Sequence, residues 1–304
     1  MVLVSVVCTG CAMRQNMANL VVSSPYISTL HIEGTIQADT DDGFSIFQDA
    51  GSYRHSYVMG QIKRLENDSN NLGIMLYVDT PGGTVFETDE LYLRLMEYKE
   101  NTGRPIYAYF HTMACSGGYY LSMAADKIIM NRNGITGSIG VTYGTMLDLT
   151  GFMEKYGVGS TSIYVGKNKN MGSVYEPLTD EQIDIFMSIL QESYDRFTDI
   201  VADGRNMPID TVVKLADGRV YTPIQAEKNG LIDQIGDYKT ALGQFKADNG
   251  WDDQTPVDEL EYQRERTFFE ILFAMAKMRP TELQSVLSLL ESPVTGPAYY
   301  YQGQ

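Results

Sequence analysis

Residues 72–80, LGIMLYVDT, form an apolar run that stops at Pro81-Gly82-Gly83. A run of that length closed by a tight turn reads as a strand buried on both faces, as in a parallel sheet. Pro105–Phe110 is a second such strand, Lys127–Met130 and Ser138–Met146 are short ones, and 29–37 (TLHIEGTIQ) alternates as a first strand. Helical spacing covers His55–Asn67, Glu87–Asn101 and Gly117–Ala125, and 40–52 reads as a loop. Strands alternating with helices imply repeated βαβ units, so the fold class is α/β with a mainly parallel sheet.

The second half reads differently. A long helix is expected after Asp180, with Thr179 as N-cap and Asp180 and Glu181 in its first turn. A shorter helix and DGRVYTPIQAEKNGLID (217–233) follow. Residues 249–266 are acidic and polar and read as a linker, 268–290 as a helical pair, and the Tyr-rich end as a tail. The chain thus divides into an N-terminal segment (1–28), a body (29–248) and a helical C-terminal extension (249–304).

Composition excludes several functions. The 304 residues carry a formal net charge of −16, which repels phosphate backbones and argues against a nucleic-acid partner. Cys8, Cys11 and Cys115 cannot build a disulfide framework or a four-ligand zinc site, and His31, His55 and His111 lack metal-ligand spacing. Neither a metal nor another cofactor is expected. The apolar run over 1–12 is shorter than the ~20 residues a bilayer span needs, and the run itself lacks the basic n-region of a signal peptide. It reads as the tail of a signal-anchor, a poor lipoprotein signal with Cys11 after Gly10, or a plain N-terminal strand or disordered start.

Chemistry concentrates at three Gly-rich junctions: Asp79–Gly83, Ala114–Tyr120 and Thr136–Val141. The first two join a buried strand to a helix, and sites in open α/β sheets form at the carboxyl ends of strands. Ser116 stands before Gly117-Gly118, on a sharp turn where glycines let a substrate carbonyl approach the backbone. The N–H groups of Gly117 and Gly83 are natural oxyanion donors. A nucleophilic serine needs a base. No histidine follows His111, which excludes a triad with a downstream His. His111 itself, five residues before Ser116 in a strand, reads as a core or rim residue. A lysine with a lowered pKa can serve instead. Lys167 and Lys169 lie in a polar loop after the strand-like Ser162–Val165, where solvated lysines are the ordinary reading.

Taken together, VDTPGG, ACSGGYYLSMAADKI, ITGSIGV, the Gly166-x-x-Lys169 loop and DGRVYTPIQAEKNGLID resemble, in order, the bacterial signal peptide peptidase A family over residues 29–245. The resemblance implies a Clp protease/crotonase-like fold and a serine endopeptidase with a Ser–Lys dyad acting on remnant signal peptides or other unfolded peptides. By position, Ser116 matches the nucleophile, Lys169 the general base, Ser138 the serine bonded to that lysine, and Gly83 and Gly117 the oxyanion positions. Asn170 stands where the family has Asp, and the nearby Lys167 competes with Lys169 for the role of base. One motif set in about 300 residues resembles the half-length members. Those form a ring or dome with sites built between neighbouring copies. The resemblance also implies membrane association with the catalytic body on the outer face; a lipoprotein or a cytoplasmic protein is the alternative. An acyl-CoA enzyme of crotonase type and a non-catalytic scaffold are the competing readings.

Overall fold

A computed structural model describes residues 24–39, 53–262 and 298–300. The chain enters the sheet with β1 (Tyr26–Glu33), three residues ahead of the expected start. It returns through helix α1 (His55–Asn67), as the spacing predicts, because Val58, Ile62 and Leu65 form one buried stripe. The apolar run over 72–80 lies in β2 (Asn71–Thr80). Its Ile74, Leu76 and Val78 face one core while Met75 and Tyr77 face another, so both faces are covered. After Pro81 come β3 (Gly82–Thr84) and helix α2 (Val85–Thr102), which ends on Gly103 in the left-handed region. Leu91, Leu95 and Tyr98 anchor α2 in the core. Each such side chain contributes on the order of 1.5–3 kcal/mol on burial.

Strand β4 (Ile106–Cys115) runs five residues beyond the expected Phe110 and ends against Ser116. Helix α3 (Gly117–Leu121) follows, then a single tighter turn over Ser122–Ala124. Next come β5 (Lys127–Met130) and β6 (Ile135–Gly137). The strand expected over Ser138–Met146 does not form. Ser138 has φ 51° and gives its N–H to the Arg219 carbonyl at 2.8 Å, which turns the chain out of the ladder. An arm over 142–179 then leaves the body and contains helix α4 (Thr150–Tyr156). The strand-like Ser162–Val165 is also not a strand: Ile163 is 94% and Val165 96% exposed, with no strand beside them among the described residues.

Helix α5 (Asp180–Arg205) starts as predicted, with a capping box between Thr179 and Gln182. Helix α6 (Ile209–Leu215), strand β7 (Val220–Tyr221), helix α7 (Pro223–Lys228), strand β8 (Gln234–Ile235) and helix α8 (Tyr238–Asp248) complete the body. Residues 249–266, expected as a linker, include strand β9 (Val257–Leu260), which pairs in parallel with β1. Strand β10 (Ala298–Tyr300) pairs antiparallel with β3. The expected loop over 40–52, the helical pair over 268–290 and the N-terminal run lie outside the described residues.

The main sheet is ordered β7-β6-β4-β2-β1-β9, with β5 and β8 branching from β4. Every pairing in it is parallel except β6 with β7. The fold is therefore α/β with a mainly parallel sheet, as the sequence pattern predicts. The larger core lies under α1, α2, α3 and α5, and the smaller one under α8, where Tyr107 and Tyr109 meet Phe245 and Ala241. No helix among the described residues is long and apolar enough to cross a membrane.

Candidate active site

The carboxyl ends of β2 and β4 lie side by side, with Thr80 opposite Ala114. Two residues past Ala114, Ser116 adopts φ 52° and ψ −113°, a conformation that side-chain-bearing residues rarely hold. Two backbone bonds hold it: its N–H donates to the Gly137 carbonyl at 2.8 Å, and its carbonyl accepts from Tyr120 N–H at 2.9 Å. Ser116 is 1% exposed, and its Oγ has no hydrogen-bond partner among the described residues. A buried hydroxyl without a partner is costly unless something else approaches it.

Thr80 and Ile36 shape the facing edge. Thr80 Oγ1 accepts the Gly82 N–H at 3.0 Å. Ile36 N–H donates to the Gly82 carbonyl at 2.9 Å, and Thr84 N–H donates to the Ile36 carbonyl at 2.8 Å. Because N–H groups alternate along a strand, Gly83 keeps its own N–H and C=O for the opposite edge. Tyr299 of β10 stands against Gly83 on β3. A Cβ on residue 83 would lie 1.7 Å from the Ile36 oxygen, so only glycine fits.

Ser138 joins this centre through the backbone. The carbonyl that receives the Ser116 N–H belongs to the peptide bond between Gly137 and Ser138. Ser138 is 8% exposed. Gly117 opens α3 directly after Ser116 and is buried. Lys169 is the outlier: it lies exposed in the arm, its N–H bonded to the Gly166 carbonyl at 3.0 Å. Within one chain Lys169 makes no hydrogen bond to Ser116 Oγ. Lys167 pairs with Glu181 at the start of α5.

The other reactive groups lead away from the serine. Burial pushes the Cys115 thiol up to about 12, which makes it a poor nucleophile. His111 Nδ1 lies 2.9 Å from Asp79 Oδ2, and its ring meets Tyr77 and Tyr109 on the α8 side of the sheet. Ser116 opens α3, which packs into the core on the opposite side. His111 is therefore a rim residue, as its place in the strand suggests. Sequence reasoning missed Ile36 and the side chains of Asp79 and Thr80. The only signal was the polar pair Asp79-Thr80 at the end of an apolar run, which reads equally as a strand terminator.

Known proteins share the body of this chain. Peptidase family S49 matches residues 98–251, a span that holds Ser116, Ser138 and Lys169. A candidate signal peptide peptidase SppA of Enterococcus faecium is 34% identical over 92% of this chain and 82% of its own. Protease 4 of Haemophilus influenzae is 34% identical over 71% of this chain but only 34% of its own length. Among solved structures, a ClpP1 mutant from Listeria monocytogenes aligns at 15% identity with a TM-score of 0.45, covering 70% of this chain and 94% of that one. The family match over residues 98–251 and the extent of the Enterococcus relative make the chain a serine peptidase belonging to peptidase family S49.

Proposed function

We propose that this peptidase is a Ser–Lys endopeptidase whose substrates are remnant signal peptides or other unfolded, membrane-derived peptides. Ser116 is the nucleophile and Lys169 the general base. Ser138 orients the lysine, and the Gly83 and Gly117 N–H groups receive the developing oxyanion. The observation that carries this reading is the buried Oγ of Ser116, without a partner among the described residues and held at φ 52° where α3 packs against β3, the strand of Gly83.

In this mechanism a neutral Lys169 amine takes the Ser116 proton as Oγ attacks the scissile carbonyl. The two N–H donors stabilise the charge on the carbonyl oxygen. The lysine then returns its proton to the leaving amine, and water activated by the same lysine hydrolyses the acyl-enzyme. An extended substrate would lie antiparallel along β3, the arrangement that Ala298–Tyr300 adopts there.

The lysine comes from a neighbouring copy. Two observations support this: Ser116 Oγ has no hydrogen-bond partner among the described residues, and the arm that carries Lys169 exposes Leu147, Phe152, Ile163 and Val165. Large exposed apolar residues on one arm mark an association surface. A ring or dome of identical copies meets both requirements. Association of that assembly with a membrane, body outward, belongs to the same reading and rests on the apolar run over 1–12.

Peptide hydrolysis and fluorophosphonate labelling of the purified chain, beside Ser116→Ala, test the assignment. The variant is expected to lose both by about 10⁴-fold or more while keeping its circular dichroism spectrum. Wild-type rates in a folded Ser116→Ala would remove this serine from the mechanism.

A further inference from the structure

Strand β4 changes neighbours halfway along. Its first half pairs with β5 up to Phe110 opposite Met130, and its last three residues pair with β6 from Met113 opposite Ile135. On the other edge the register with β2 also breaks here. Val78 stands opposite Phe110, but Thr80 stands opposite Ala114. Three residues, His111, Thr112 and Met113, therefore face the single residue Asp79. This is a bulge with two extra residues, which bends a strand and leaves backbone groups off the ladder.

The Asp79 carboxylate occupies that bulge. Its Oδ1 accepts the Met113 N–H at 3.0 Å, and its Oδ2 lies 2.9 Å from His111 Nδ1. An ionised carboxylate only accepts, so a proton on that nitrogen donates to it. The β5–β6 turn presses on the bulge from the far side, where a Cβ on Gly134 would stand 2.7 Å from the His111 oxygen. The bulge is thus fixed from both edges.

Both halves of the catalytic centre start from this point. Three residues after Met113 the chain reaches Ser116, and one residue after Asp79 it reaches Thr80, which anchors the Gly82 N–H. We infer that Asp79 is a positioning residue. Its carboxylate locks the β2–β4 bulge and so sets the spacing between the Ser116 turn and the Gly83 edge. His111 steers the carboxylate from the same bulge. The inference rests on the reading of Ser116 and Gly83 as nucleophile and oxyanion donor.

Comparing Asp79→Leu with Asp79→Asn tests this in the full-length chain. The side chains are similar in size, but only asparagine keeps an acceptor for the Met113 N–H. Asp79→Leu is expected to lower kcat by about 10-fold or more with KM within about 2-fold, because small misplacements of reacting groups slow chemistry steeply. Fluorophosphonate labelling of Ser116 should slow in parallel, and Asp79→Asn should recover most of both rates. A folded Asp79→Leu with wild-type kcat, or equal losses in the two variants, would overturn the lock. Should Asp79→Leu not fold, amide exchange in the wild-type protein decides. Met113 N–H is expected to be protected like the neighbouring strand amides, and exchange as fast as in exposed loops would refute the proposal. A wild-type chain without peptidase activity would sink the reading of Ser116, while the exchange measurement would still judge the lock.

Discussion

Ser116 and Gly83 face opposite local demands. Ser116 must hold a positive φ despite its side chain, a strain of roughly 1–3 kcal/mol that the Gly137 and Tyr120 hydrogen bonds offset. Gly83 must have no side chain at all, because the Ile36 carbonyl fills the space where a Cβ would go. Gly83→Ala must push β3 away from Ile36 and turn the residue 83 N–H off its line. The expected result is a loss of kcat of about 10²-fold, the usual effect of losing one oxyanion donor, with slower fluorophosphonate labelling. A Gly83→Ala enzyme with unchanged kcat would remove the Gly83 N–H from the oxyanion site. The Gly-rich turns and Ser116 stand out in the sequence because a turn between a buried strand and a helix is a local feature, but the reason residue 83 must be glycine does not. Ile36 and Asp79 were not, because each acts on residues brought close only by the sheet.

Strands β1 and β9 are joined by side chains as well as by the ladder. His31 on β1 lies 3.0 Å from Glu33 and 3.1 Å from Glu259 on β9, its ring stacks on Tyr77 of β2, and Tyr238 of α8 donates to Glu259. Burial alone would lower the His31 pKa, but Glu259 and Glu33 together hold it above the ordinary value. Burial would likewise raise the Glu259 carboxyl, yet His31 and Tyr238 hold it low. A raised histidine pKa stabilises the fold fully below the unfolded value of about 6.5, and the gain fades as pH rises through the folded value. Thermal unfolding of wild type against His31→Gln between about pH 5.5 and 8.5 should show a Tm gap that narrows as pH rises. A constant gap would mean that His31 acts by packing alone. This strand pair also marks where sequence reading fails. Its polar, acidic β9 carries no apolar run and reads as linker, although an edge strand needs only one buried face. The helices α1 and α5 were legible because each carries its own stripe or cap. Ser162–Val165 has the composition of a strand but lacks a strand neighbour among the described residues.

At the scale of the whole molecule the two halves of the proposed dyad are separated. Ser116 is sealed in the body, whereas Lys169 rides on an arm with exposed apolar residues. That separation makes a forecast that a self-contained site cannot share. Each subunit of a cyclic assembly has two different contact faces, so it can offer serine to one neighbour and lysine to the other. A Lys169→Ala subunit still offers serine, and a Ser116→Ala subunit still offers lysine. Where the first gives the serine and the second the lysine, the junction is intact. Equal random mixing in a ring makes about one junction in four of this kind, by probability over such head-to-tail contacts. Co-expression of the two inactive variants is therefore expected to restore close to a quarter of wild-type peptidase activity, with none in either variant alone. The same mixture made with Lys167→Ala in place of Lys169→Ala should be more active, since every subunit then keeps Lys169 and only the Ser116→Ala copies are silent. A dyad closed within one chain gives the opposite outcome, because every chain in the first mixture lacks one of its groups. Absence of recovery, with mixed oligomers demonstrated by native mass spectrometry, would put both groups in one subunit. It would also require the arm to fold back onto its own Ser116.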